Sequence, residues 1–422
     1  AHDDLEDAAL RDKLKWAFAE PERLKPAKTR QQLTEEAAGR FAALAERLRG
    51  RGHDPQTVAH FVNRLVFCMF AEDVGLLPNA MFTRMLEHAA KAPEDFADLA
   101  GELFDKMRTG GRVGFEKVEW FNGGLFDDGA ALPLDKRDVA EVLGAARLDW
   151  SDIDPSILGT LFERGLDPSK RSQLGAHYTD RDKIMLILRP VMVEPLTREW
   201  EAARAEIEGL VERERAAKSP SAATRFHNDA VSRWQGFVER LRGFRVLDPA
   251  CGSGNFLYLA LRELKDLEHR VNVEAAEILG SGVQFPATGP ENVLGIELNP
   301  YAAELARVSV WIGEIQWMRR NGFDAARNPI LRPLDTIENR DAILTPEGAR
   351  AAWPAAEAIV GNPPFLGDKL MRDGLGDAYV DALRSAYSGA VPGGADLVTY
   401  WFALAGEALR SGRARRVGLV ST

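Results

Sequence analysis

The chain has 422 residues, room for about two or three domains with substantial cores. Its 54 basic against 64 acidic residues give a net charge of −10, which excludes a chain that binds nucleic acid through overall charge and leaves any such contact to local patches. Two cysteines, Cys68 and Cys251, exclude a disulfide framework and a thiolate metal cluster. No apolar run approaches the roughly 18 residues of a membrane span and no basic-then-apolar leader opens the sequence, so no membrane contact and a cytoplasmic location are expected.

From Leu5 to about Gly144 the pattern is predominantly helical. Phe41, Leu44 and Leu48 recur at helical spacing, as do Val58, Val62, Leu65, Val66 and Met69, so residues 1–149 are expected to form an α-helical domain. It shows no chemistry of its own: Cys68 lies in an apolar helix, Asn122-Gly123-Gly124-Leu125-Phe126 reads as a turn, and the seven histidines show no metal-ligand spacing. A connector over 150–175 leads to a second domain over 176–422. Inside that domain, a charged pattern over about 198–242, broken at Ser219-Pro220-Ser221, predicts an inserted helical hairpin ahead of the first core strand.

Arg245-Val246-Leu247 is a short apolar strand ending at Asp248, followed by Cys251-Gly252-Ser253-Gly254 and a helix carrying Phe256, Leu257, Leu259, Leu261 and Leu264. A strand, a glycine turn and a helix start form a ligand cradle at the carboxyl end of a sheet. The dinucleotide fingerprint requires a third glycine where Leu257 stands, which disfavours a pyrophosphate. Asp248 also disfavours an anion and suits a cation such as the ammonium of a methionine moiety. Val293 to Asn299 is another apolar strand, and Glu297 at its end is placed to accept the hydroxyls of a ribose or, more simply, to cap the helix expected from Pro300 to Trp317. The interval from the glycine turn is about twice the usual twenty or so residues, so an insertion is expected around His269 to Pro290. The helix after Pro300 places Ala303, Ala306, Val310 and Ile315 on its apolar side.

Ile359-Val360-Gly361-Asn362-Pro363-Pro364-Phe365 is a strand running into a rigid loop. Two prolines fix φ and remove two backbone donors, so the side-chain carbonyl of Asn362 and the carbonyl of Pro363 can converge on an amine with two hydrogens. Phe365 offers a face for a heterocyclic base; alternatively, Asn-Pro-Pro is a plain turn and Phe365 a core plug.

In this order, DPACGSGNF, GIELN and GNPPF resemble the class I S-adenosylmethionine-dependent DNA methyltransferases that modify the exocyclic amine of adenine. Leu174-Gly175-Ala176-His177-Tyr178-Thr179 resembles the extra cofactor motif of the gamma arrangement. The segments from His60 to Pro78 and from Ile157 to Thr179 resemble the MmeI-like branch of restriction-modification proteins, and the likeness spans nearly all of the chain from about Pro21 onward. The resemblance implies an α/β fold, a Rossmann-like class I methyltransferase sheet, C-terminally incomplete and preceded by the α-helical domain. It implies S-adenosylmethionine as cofactor and double-stranded DNA with a flipped adenine as substrate. Asn362, Pro363, Pro364 and Phe365 would hold the base; Asp248, Ala250, Gly252 and Gly254 would contact the methionine end, closed over by Tyr178 and Thr179; Glu297 would bind the ribose. Asp341 would meet the amino group of the cofactor's adenine, or else cap a turn or pair with Arg340.

No cysteine lies near Gly361 to Phe365, so carbon methylation of cytosine, which needs a thiolate there, is not expected. No metal is expected. Arg410, Arg413, Arg415 and Arg416, and Lys170 with Arg171, are either phosphate contacts or solvated surface. The last residues, from Arg416, read as the opening of a fifth strand, with further strands and a target-recognition domain expected beyond. The branch also carries an amino-terminal nuclease; Asp3, Asp4, Glu6 and Asp7 read instead as a solvated terminus, so a companion nuclease is expected outside this chain. The same pocket could serve an RNA base or a protein glutamine, and a non-catalytic, partner-binding subunit is the further alternative.

Overall fold

The computed structural model describes residues 30–120, 125–126, 128–151, 153–155, 181–282, 284–323 and 334–421, with isolated positions ahead of residue 30. The first region is built from helices α1 (Arg30–Gly50), α2 (Pro55–Asp73), α3 (Met81–Ala89), α4 (Phe96–Thr109) and α5 (Lys136–Ala146). Asp54 starts α2 by accepting from the Thr57 N–H at 2.9 Å, with Pro55 in the first turn, where its missing donor costs nothing. This helix is buried nearly all round (Phe61, Leu65, Val66, Phe67, Phe70) and forms the axis of the bundle, with Phe41, Leu44 and Leu48 of α1 packed in the same core. The region is predominantly helical, as expected, with one short addition: β1 (Gly111–Val113) and β2 (Glu116–Val118) pair antiparallel as a hairpin, with Gly111 opposite Val118. Three residues per strand are too few for an alternating pattern to stand out from the flanking helices. Trp150 and Ile153 are buried in the helical core, and the Trp150 N–H is held by Asp73 at 2.6 Å.

Helix α6 (Arg181–Leu188) runs through a π turn at Arg189–Val193 into α7 (Glu194–Arg215). Pro190 lies in that turn, where its ring and missing N–H disturb the ordinary ladder. α7 and α8 (Pro220–Arg242) form the expected hairpin, with Ser219 capping the second helix. The hairpin is continuous with α6 and its apolar side packs in the sheet core.

Strands β3 (Val246–Asp248), β4 (Val293–Glu297), β5 (Ile337–Asn339), β6 (Ala358–Gly361) and β7 (Arg416–Leu419) form one parallel sheet in the order β5-β4-β3-β6-β7. Val246, Ala358 and Val360 face a core shared with α6 to α8 and α9 (Asn255–Leu279), whereas Leu247 and Ile359 face the other side. The long α9 and the Gly- and Pro-rich segment after it occupy the expected insertion, and α10 (Pro300–Arg320) follows β4. The second face of the sheet is covered by α11 (Asp368–Leu375), α12 (Asp377–Ala386) and α13 (Val398–Arg410).

Helix α10 joins the two regions. Ala303, Ala306 and Val310 pack in the sheet core, but Ile315, grouped with them by periodicity, turns instead to the helical core with Tyr301, Leu305, Val308 and Ile312. Its apolar residues encircle the helix, so both sides are buried and one stripe could not be told from two. Gln316 Nε2 donates to the Ile153 carbonyl at 2.7 Å, and the His60 imidazole meets the Glu304 carboxylate at 2.7 Å across the same junction. Among the described residues, no helix is long and apolar enough to cross a membrane.

Candidate active site

In a parallel sheet of this order the chain reverses direction beside β3, so the ends of β3 and β6 open on one crevice. Asp248 ends β3. Its carboxylate is buried and accepts from the Ala250 N–H at 3.0 Å. The same carboxylate lies over the Gly361 backbone at the end of β6, where a Cβ would collide with it. Glycine at 361 is therefore what allows the two loops to touch. Burial pushes the Asp248 carboxyl up to about 8 against the pull of the Ala250 N–H, and Glu297 adds to the rise.

Glu297, at the end of β4, accepts from the Gly252 N–H at 2.9 Å and from the Asn299 N–H at 2.8 Å. Burial raises its pKa and those backbone donors oppose the rise. The helix-capping alternative belongs to Asn299, whose side chain accepts from the Tyr301 N–H at 3.0 Å. The second glycine of the turn, Gly254, has φ +86° and lies so close to α10 that a Cβ would stand 2.8 Å from the Cα of Ala306. The turn thus presents Gly252 and Ala250 beside two desolvated carboxylates, both held by backbone N–H groups.

Asp341 follows β5. Its Oδ1 accepts from the N–H groups of Ile343 and Leu344 at 2.8 and 3.1 Å, and its Oδ2 accepts from the Tyr379 hydroxyl at 2.7 Å. The turn-capping reading is what the fold displays; Arg340 pairs with Glu338 instead. Asn339 and Arg340 bond to the Glu297 carbonyl, which brings Asp341 to the same rim.

Asn362 and Phe365 are half-buried and Pro363 is buried. Phe365 lies outside the hydrophobic core of that face, so it is not a core plug. Tyr178, Thr179, Lys170 and Arg171, Asn122 to Gly124 of the expected turn and the acidic terminus lie outside the described residues. The arginines near the end are not at this rim. Arg416 pairs with Ala358 at the start of β6, so Arg413, Arg415 and Arg416 sit at the amino ends of the strands, opposite Asn362, and Arg413 pairs with Glu407. Their run in sequence marks the solvated start of a strand. Both thiols are buried and burial pushes both up, so neither is a poised nucleophile. Among the described residues, no group of three His, Cys, Asp or Glu side chains could hold a metal. A cavity of about 330 Å³ lined by His60, Arg64, Asp128, Tyr301 and Glu304 lies on the helical side of α10, away from both loops.

The strand order, the glycine turn after the first strand and the acid after the second define a Rossmann-like domain of the methyltransferase type. The profile of the MmeI DNA-methyltransferase domain matches residues 224–422, and that of the MmeI helicase spacer domain matches residues 56–126. The chain is 27% identical over 351 residues to DNA methyltransferase A of Bacillus subtilis (strain 168), covering 79% of this chain and 37% of that protein. A relative from Methanocaldococcus jannaschii is 23% identical over 295 residues, 60% of this chain and 24% of its own length. The solved structure of the type IIL restriction-modification enzyme MmeI in complex with DNA superposes with a TM-score of 0.67 at 25% identity, covering 89% of this chain and 48% of that one. Residues 224–422 thus belong with the MmeI-like DNA-methyltransferase domains and residues 56–126 with the MmeI spacer domains, and the chain spans less than half the length of each of these relatives.

Proposed function

We propose that this chain carries the catalytic centre of an adenine-specific DNA methyltransferase that uses S-adenosylmethionine and acts within a restriction-modification or phage-defence system. The observation that carries this reading is the contact of Asp248 with the Gly361 backbone, which makes a cation-seeking loop and an amine-seeking loop neighbours. The residues present fit the cofactor: two desolvated carboxylates with backbone donors suit an ammonium and a ribose, and the close backbone approach at Gly254 keeps the turn clear of side chains. S-adenosylmethionine, when bound, supplies the electrophilic methyl group. Asp248, Ala250, Gly252 and Gly254 would hold its methionine end and Glu297 would take the ribose; Asp341, whose Oδ1 is spent on its turn, would have to share Oδ2 between Tyr379 and the adenine edge, and Tyr178 and Thr179 are assigned to the methionine end by the resemblance alone.

The substrate adenine is extruded from the duplex and stacks on Phe365, which offsets an unstacking cost of a few kcal/mol. Asn362 and the Pro363 carbonyl accept the two hydrogens of its exocyclic amine. Holding both frees the nitrogen lone pair from the ring, and the amine becomes the nucleophile. Positioning carries the rest of the barrier reduction. The partners of the full protein are double-stranded DNA and a companion nuclease, carried on a further domain or on a separate chain.

Radiolabelled S-adenosylmethionine offered with DNA, RNA and protein tests this reading. Label is expected in DNA, recovered after digestion as N6-methyladenine. Label in RNA, in glutamine or in a methylcytosine moves the substrate assignment, and absence of cofactor binding by the full-length protein returns the chain to a partner-binding role.

A further inference from the structure

We propose that Asp396, backed by Trp401, is the positioning residue that fixes the Asn362–Phe365 loop against the Asp248 loop. The inference rests on the methyl-transfer reading of that site. The loop is poorly equipped to hold itself: Pro363 and Pro364 have no N–H, so the backbone donors from Asn362 to Leu366 reduce to those of Asn362, Phe365 and Leu366. At its start the loop is tied by the Gly361 carbonyl, which accepts from the Val420 N–H at 2.9 Å. At its end both backbone groups of Leu366 are taken by one segment. The Leu366 N–H donates to Asp396 Oδ1 at 3.3 Å, and the Leu366 carbonyl accepts from the Leu397 N–H at 3.0 Å.

The same Asp396 oxygen accepts from the Val398 N–H at 3.0 Å, so the loop is fastened to the first turn of α13. One turn further along that helix, the buried Trp401 donates its indole N–H to the Pro249 carbonyl at 3.0 Å. Pro249 directly follows Asp248. A single helix start therefore grips the residue after the base-facing tetrapeptide and the residue after the cofactor-facing acid. Misplacing reacting groups by about 1 Å costs on the order of 100-fold in rate, which is the scale on which such a clamp acts.

The test uses Asp396→Ala and Asp396→Asn in the full-length protein. The alanine variant is expected to lose about 10- to 100-fold in kcat, with cofactor Kd and the KM for DNA changed less than about threefold. Asparagine keeps the accepting oxygen and is expected to restore kcat to within about threefold of the parent. Hydrogen exchange at Leu366, read by NMR or by mass spectrometry of overlapping peptides, is expected to quicken at least about tenfold in the alanine variant only. This readout needs no methyl transfer, so an inactive parent sinks the functional reading while exchange still decides the clamp. Unchanged kcat or unchanged Leu366 exchange in Asp396→Ala, or an Asn variant as impaired as the Ala one, overturns the proposal. If Asp396→Ala does not fold, Trp401→Phe, which keeps the packing and loses the N–H, is expected to lower kcat several-fold, and an unaltered kcat there overturns it.

Discussion

Asp138 in the helical region and Asp248 with Glu297 at the sheet rim are buried carboxylates that the fold treats in opposite ways. In the helical region, burial alone would raise Asp138, but hydrogen bonds from Arg51 and Arg47 outweigh it and hold the carboxyl below its usual range. At the sheet rim, Asp248 and Glu297 are met by backbone N–H groups rather than by cations, and burial pushes both up. A charge that serves stability is neutralised within the fold. A buried carboxyl raised by desolvation, at the mouth of a crevice with no cation beside it among the described residues, is a candidate for a place where a bound cation completes the electrostatics.

Substitutions can break or sharpen that contrast. The largest effect is expected at the rim: Asn362→Ala should lower methyl transfer by about 10²- to 10³-fold. Cofactor affinity in a calorimetric titration should be nearly intact, and equal loss of both would mean misfolding. Next in size is the response to pH. Cofactor binding to the ionised Asp248 should release about one proton below pH 8, so affinity tightens up to about tenfold per pH unit as pH rises toward 8. Titrations in buffers of different ionisation enthalpy count that proton.

For the ligand-free protein the sign is reversed. The raised carboxyl contributes stability that is whole below the unfolded value of about 4 and is lost as pH climbs through about 8. Asp248→Asn should flatten the dependence of Tm on pH across that window. In the helical region, Asp138→Asn weakens the pairing with two arginines and should cost about 1.5–3 kcal/mol in urea denaturation, with cofactor affinity untouched. The smallest change is expected from Glu297→Ala, a loss of about tenfold in cofactor affinity, and an unaltered titration would remove that residue from the site.

Much of the site was readable before folding because its chemistry sits in short contiguous stretches. Asp248 with its glycine turn and Asn362 with its prolines each announce a strand end and a ligand preference. Helical periodicity likewise marked α1 and α2, whereas the three-residue strands of the hairpin near Gly111 were too short to register. Asp396 and Trp401 left no such mark: an acid before a helix and a core tryptophan are ordinary, and their partners Leu366 and Pro249 lie 30 and 152 residues away. The arginine run from Arg410 left two readings open for the same reason, since local charge says nothing about which end of a sheet it occupies.

The linear chain by itself determined the main helices and the strands that lead into the two loops, and the turn chemistry at Gly254 and the prolines, because these follow from neighbouring residues and their periodicity. Only the tertiary structure decided that Asp248 rests on Gly361, that Glu297 reaches Gly252, that Asp341 spends its oxygens on a turn and on Tyr379, and that α10 is shared between two cores. Those contacts depend on the strand order, which places β3 between β4 and β6. Order in a parallel sheet is settled by which helices cover which face, a property of the whole packed molecule rather than of any stretch of it.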